Sequence, residues 1–127
     1  MAGQKSVHPT KGEFRILKVL WNQGPCTVRQ VQEGLRDESG YTTVLKLMQI
    51  MLEKALLSRN EKERTHVYTA AVPEVQAKCG LVQDLIEKAF GGSAQELILQ
   101  ALSSRKSSPE ELSEIRRMID TIERKKP

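Results

Sequence analysis

The run Thr42-Thr43-Val44-Leu45-Lys46-Leu47-Met48-Gln49-Ile50-Met51-Leu52-Glu53-Lys54 decides how this chain is read. Val44, Leu47, Met48, Met51 and Leu52 recur at helical spacing and predict a buried face. Thr42, Thr43, Lys46, Gln49 and Glu53 fall on the opposite face. The period then changes. Leu56-Leu57-Ser58-Arg59 and Thr65-His66-Val67-Tyr68-Thr69-Ala70 read as two strands, joined by the charged Asn60-Glu61-Lys62-Glu63-Arg64. Upstream, Thr10-Lys11-Gly12-Glu13 and Thr27-Val28-Arg29-Gln30 have the form of capping boxes, in which side chain and backbone satisfy each other at a helix start. Phe14, Leu17, Leu20 and Trp21 follow the first box and Gly24-Pro25 ends that element; Val28, Val31 and Leu35 follow the second, before a turn at Asp37-Glu38-Ser39-Gly40. Helix, helix, helix, hairpin is the order of a winged helix-turn-helix.

Downstream of Val72 the pattern is helical throughout. Pro73 begins a helix with a broad apolar stripe of Leu81, Val82, Leu85, Ile86, Ala89 and Phe90, ended by Gly91-Gly92. Ser93-Ala94-Gln95-Glu96 and Ser108-Pro109-Glu110-Glu111 read as two more capping boxes. The helix between them turns Leu97, Ile98, Ala101 and Leu102 inward, and the last helix carries a heptad-like seam of Leu112, Ile115, Ile119 and Ile122. The fold class is mainly α with a small β-hairpin: a winged helix-turn-helix over residues 1–72 and a three-helix dimerisation domain over 73–127. Residues 73–127 hold too few large apolar groups for an independent monomeric core, so pairing two copies along Leu81, Leu85, Leu112, Ile115, Ile119 and Ile122 is expected.

Charge follows the same division. Residues 1–72 carry eleven Lys/Arg against seven Asp/Glu, and residues 73–127 carry nine of each, so the whole excess of four positive charges lies in the first part. A basic module joined to a neutral one suits polyanion binding combined with assembly. No apolar run reaches the roughly 18–20 residues that cross a bilayer, and the first residues lack the apolar stretch of a secretion signal. A cytoplasmic protein without membrane insertion is expected.

Catalysis finds little support. Cys26 and Cys79 have no metal-ligand spacing, with only His8 and His66 to join them, and read as reduced, packed thiols. No histidine lies in sequence near a nucleophile with an orienting acid, and no glycine-rich phosphate loop occurs. No enzyme, metal, cofactor or small-molecule substrate is expected. His66, beside the hairpin tip, reads as a surface or phosphate-contact residue.

DNA binding finds more. A helix can enter the major groove when its outward face is narrow and can hydrogen-bond base edges. Thr42 and Thr43 present short hydroxyls and methyls, Lys46 can reach guanine, and Gln49 can pair bidentately with adenine. Lys62 and Arg64 at the hairpin tip are placed to hold flanking backbone, and Arg29 to hold a phosphate at a helix start. Leu45 and Ile50, on or near the same face, serve either as core edge or as contacts to thymine methyl groups. The competing function is an adaptor that turns the winged helix toward a protein partner without binding DNA.

Particular segments also resemble a known family. Tyr41-Thr42-Thr43-Val44, Leu56-Leu57 with Arg59, His66-Val67-Tyr68 with Ala70, Phe90-Gly91-Gly92-Ser93, Leu97-Ile98-Leu99-Gln100-Ala101-Leu102 and Ser108-Pro109-Glu110-Glu111-Leu112 are similar, in order, to the penicillinase-repressor regulators of BlaI/MecI/CopY type. The resemblance runs from about Lys11 to Ile122. It implies a homodimeric transcriptional repressor that binds palindromic double-stranded DNA operators and is released by proteolysis, triggered by a membrane metallopeptidase sensor. It adds Tyr41 to the DNA-binding residues and places the susceptible stretch near Gln100-Ala101. This chain departs from the family pattern at three places. It lacks the C-terminal Cys-x-Cys pairs of the copper-responsive branch, it has Ala55 where many relatives have glycine, and it has Leu45 and Ile50 where staphylococcal-type repressors show arginines.

Overall fold

The computed structural model describes residues 9–62 and 64–125; His8 and Glu63 lie outside the described residues. The elements run α1 (Lys11–Gln23), α2 (Val28–Leu35), α3 (Tyr41–Glu53), β1 (Leu57–Asn60), β2 (Val67–Ala70), α4 (Glu74–Ala89), α5 (Ala94–Ser103) and α6 (Pro109–Lys125). The chain separates into two units, Met1–Asp84 and Leu85–Pro127, with the division inside α4.

In the first unit the two expected capping boxes form with both of their bonds. Thr10 accepts from the Glu13 amide while the Glu13 carboxylate accepts from the Thr10 amide, and Thr27 and Gln30 repeat the arrangement. Helix α3 begins at Tyr41, one residue earlier than the sequence suggests, and its N-cap, Gly40, offers no side-chain bond. Its position is therefore set by packing. Val44, Met48 and Met51 are fully buried among Ile16, Leu17, Leu20, Val31, Leu56, Leu57 and Tyr68, with Leu47 and Leu52 half-buried at the edge. Helices α1 and α2 approach so closely that a Cβ on Gly34 would stand 2.7 Å from a Val19 methyl, which no real side chain tolerates.

The hairpin is antiparallel, with Leu57 opposite Ala70 and Asn60 opposite Val67. Both strands begin later than the sequence pattern predicts, and Asn60, expected in the connecting loop, is the last residue of β1. Leu56 is drawn into the end of α3, its amide donating to Met51 O at 2.9 Å, and the ladder stops at Asn60–Val67, which leaves Thr65 and His66 in the connecting loop. A further link is not visible in the pattern at all: Cys26 and Tyr68 exchange two backbone hydrogen bonds, of 3.0 and 2.8 Å, as an isolated bridge between the α1–α2 connection and β2. Trp21 donates its indole N–H to Val72 O at 3.0 Å and so fixes the exit from the hairpin.

The two cysteines differ. Cys26 is buried and desolvation pushes its thiol pKa up, whereas Cys79 is exposed on α4, against the expectation that both are packed. Alternate faces of α4 meet different surroundings: Ala77 is buried and Cys79, two positions on, points to solvent.

In the second unit only Ile86 is buried among the described residues. Neither α5 nor α6 contains a buried residue. The side chains expected to turn inward on α5 are therefore at most half-buried: Ile98 and Ala101 are exposed and Leu97 and Leu102 intermediate. The two downstream capping boxes are only half made. Ser93 and Ser108 each accept from the amide three residues on, but the return bond is missing; Glu111 instead binds Arg105 at 2.9 Å, a charged partner in place of a backbone amide.

Candidate nucleic-acid interface

The outward face of α3 is the natural starting point. Thr42, Thr43, Lys46, Gln49, Ile50 and Glu53 are all exposed, and at about 100° per residue they share roughly 120° of arc. From Thr42 to Gln49 the face extends about 10 Å along the axis, which suits the width of a major groove. Glu53, the one carboxylate on it, sits a turn beyond Gln49, so approach by a polyanion favours the N-terminal two turns. Leu45 is half-buried and Ile50 is 37% exposed, so the two apolar residues near this face differ: Leu45 belongs to its edge and Ile50 to the face itself.

Around this helix the cations divide into tied and open groups. Arg15 is tied to Asp37, Lys54 to Glu13, and Arg59 to Glu61. Hydrogen bonding to Tyr68, across the ladder, and then to Glu61 raises the Arg59 pKa further, so this guanidinium is committed within the hairpin. By contrast Arg29, Lys46, Lys62 and Arg64 are exposed and form no ion pair among the described residues. At the hairpin tip the Lys62 amide donates to Asn60 Oδ1 at 2.9 Å, which shapes the turn and leaves the ammonium outward.

The structure brings Arg29, Tyr41 and Arg64 together. They line a recess of about 390 Å³ whose other walls include Leu45, His66 and Tyr68. The Arg29 guanidinium lies over the Tyr41 ring, 5.1 Å from its centroid. Tyr41 thus positions Arg29, a contact between α2 and α3 that spacing along the chain does not reveal. Thr42, Thr43, Lys46 and Gln49 share the α3 face without entering the recess, and Lys62 stands apart at the tip.

The remaining expected site residues lie elsewhere. Leu81, Leu85, Ile119 and Ile122 are exposed and Leu112 and Ile115 half-buried, each with an apolar face that its own unit does not cover. Gln100 and Ala101 are both exposed on α5. Among the described residues no cluster of His, Cys, Asp and Glu is arranged to hold a metal, and no helix is long and apolar enough to cross a membrane.

The sequence profile described as "Penicillinase repressor" matches residues 9–121. A penicillinase repressor of Staphylococcus aureus is 19% identical over 123 residues, covering 95% of this chain and 98% of that protein. The transcriptional regulator BlaI of Mycobacterium tuberculosis is 28% identical over 114 residues, covering 87% and 82%. A solved structure of Bordetella bronchiseptica BpsR, whose DNA binding is regulated by 6-hydroxynicotinic acid, matches with a TM-score of 0.48 and 22% identity over 89% of this chain and 74% of that one. The relatives are regulators of transcription and not enzymes.

Proposed function

Because the chain belongs to the penicillinase-repressor family, we propose that it is a homodimeric DNA-binding transcriptional repressor acting on palindromic operators. The observation that carries this is the exposed Thr42/Thr43/Lys46/Gln49 face of α3, flanked by the open cations Arg29, Lys62 and Arg64. Lys46 and Gln49 read base edges in the major groove. Arg29, Lys62 and Arg64 hold phosphates on either side, which fixes the register of α3 without reading sequence.

Residues 1–72 act as the DNA-binding part and 73–127 as the dimerisation part. Support comes from the uncovered apolar side chains of α4, α5 and α6. Ile119 and Ile122 are 49% and 62% exposed, and Leu99 is 61% exposed, which a second copy would bury. Two linked subunits hold two half-sites, each raising the effective concentration of the other. Release follows from loss of that linkage. A cut near Gln100-Ala101, triggered by a membrane metallopeptidase sensor, separates α6 and its Leu112/Ile115/Ile119/Ile122 seam from the DNA-binding part. Each subunit is then left with one half-site.

The test is salt dependence on a duplex obtained by selection from a random pool. A repressor contacting several phosphates per subunit loses affinity with a log–log slope of about −0.9 per phosphate. A chain truncated after Gln100 should be monomeric, with both affinity and slope reduced. A flat salt response would favour a protein-binding adaptor instead, and an unchanged dimer after truncation would exclude this route of release.

A further inference from the structure

The recess beside α3 holds more than the cations already assigned. Arg29 reaches it from the start of α2, Tyr41 and Leu45 from α3, Arg64 and His66 from the hairpin loop, and Tyr68 from β2. Among the described residues no carboxylate lines it, and Arg29 and Arg64 give it two cationic side chains. Its two cationic guanidiniums come from segments more than thirty positions apart in sequence and share the recess with the imidazole of His66, which is exposed. Leu45 supplies an apolar wall of the kind a sugar ring packs against.

Resting on the DNA-binding reading above, we propose that this recess seats one backbone phosphate diester per half-site and that His66 takes up a proton as it does so, making operator affinity rise as pH falls through neutrality. The chemistry is direct. A phosphate diester keeps its single negative charge across this range, and imidazole is the side chain that gains charge between about pH 8 and 5. An anion held beside His66 favours the protonated ring, and by linkage protonation favours the anion to the same extent. The charged and titratable groups that share the recess with the ring are Arg29 of α2, Tyr41 of α3, Arg64 of the hairpin loop and Tyr68 of β2.

The sequence makes the test clean, because His8 and His66 are its only histidines. Affinity of the full chain for a selected two-half-site duplex is measured from pH 8 to 6 at fixed salt, for the parent, His66→Asn and His8→Asn. The parent and His8→Asn should bind about tenfold tighter at pH 6 than at pH 8, and His66→Asn should lose most of that gain while still binding at pH 8. Replacing phosphates singly by neutral methylphosphonate should erase the pH response at one position per half-site. A pH response equal in the parent and His66→Asn overturns the inference but leaves DNA binding standing; absence of any duplex binding at every pH overturns both. Titration of the His66 ring by NMR with inorganic phosphate alone separates the sources: a shift as large as the duplex produces would make the recess a free-anion site and refute its assignment to the DNA backbone.

Discussion

The carboxylate of Glu13 ties the start of α1 to the end of α3 through Lys54. Its Oε1 accepts from the Thr10 amide at 2.9 Å, closing the α1 capping box, and its two oxygens receive Lys54 Nζ, from the C-cap of α3, at 2.9 and 3.0 Å. Glu13 is only 2% exposed. Removing the cation alone would leave a buried carboxylate with one amide for company, the situation in which a broken ion pair is most damaging. Lys54→Met should therefore destabilise by about 2–3 kcal/mol, less than a fully buried pair because Lys54 keeps some exposure. Adding Glu13→Gln, which preserves the amide bond, should recover most of the loss. Urea midpoints measure both; a Lys54→Met protein as stable as the parent would refute this account.

Ala55 has φ of 66°, in the left-handed region. It occupies the turn that closes α3, where Leu56 N–H donates to Met51 O at 2.9 Å and Ala55 N–H to Leu52 O at 3.1 Å, the pair of bonds that defines a Schellman ending. The helix end is tight despite the missing glycine, at the expense of backbone strain. Ala55→Gly should stabilise the chain by about 0.5–1 kcal/mol, the relief of strain less the added chain entropy. A lowered melting temperature in that variant would contradict the strain.

Asp37 has its pKa lowered to about 2, first by accepting the Ser39 amide and then by its bond to Arg15. A depressed carboxyl stabilises the folded chain above its ordinary pKa and ceases to do so as pH falls through the depressed value. Asp37→Asn should accordingly lower the melting temperature at pH 5 and make progressively less difference from about pH 4 to pH 2. A gap between the two proteins that stays constant down to pH 2 would show that the charge on Asp37 is not what holds the turn.

On DNA, Lys46 and Gln49 should behave differently from Lys62. If both read base edges as proposed, replacing Lys46 or Gln49 by Ala should relax preference at particular base pairs by about 1–3 kcal/mol. Lys62→Ala should weaken all duplexes alike and reduce the salt slope by about one. Binding to a panel of single-base operator variants decides this; unchanged preferences in Gln49→Ala would mean that α3 is docked wrongly.

Ile119 lies on the α6 seam at 49% exposure. A charge there has no effect on a monomer's core, since α6 buries nothing of its own. Ile119→Asp should thus yield folded monomers, with helix content retained and half the sedimenting mass. A dimer that survives the substitution would move the interface elsewhere.

What the sequence discloses in this chain depends on distance along it. The Thr10/Glu13 and Thr27/Gln30 boxes are legible because both partners stand three residues apart, and the buried face of α3 is legible from its period. The second use of Glu13 is not, since Lys54 is forty-one residues away. The same holds for the recess: Arg29, Arg64 and His66 can each be picked out as residues suited to phosphate, but their convergence depends on the hairpin folding back to α2. Ser108-Pro109-Glu110-Glu111 misleads for a related reason. Nothing local reveals that Arg105 competes for the Glu111 carboxylate. The half-open apolar faces of α5 and α6 are legible as amphipathic helices, but the pattern cannot distinguish a face covered within the chain from one left uncovered.

The Cys26–Tyr68 bridge joins positions 42 residues apart and encloses α2, α3 and β1 in a ring of backbone. Closing a loop of that length carries an entropic cost of about 3 kcal/mol beyond the constant term, and it must be met before the contacts inside the ring are secured. Helix α3 has no side-chain N-cap and ends on a strained alanine, so its ends contribute little to its stability. Its rigidity comes from Val44, Met48 and Met51, buried in the core that the ring encloses. Under the proposed function, a duplex that recognises the shut ring would act as a folding ligand, and binding it would protect the protein from unfolding.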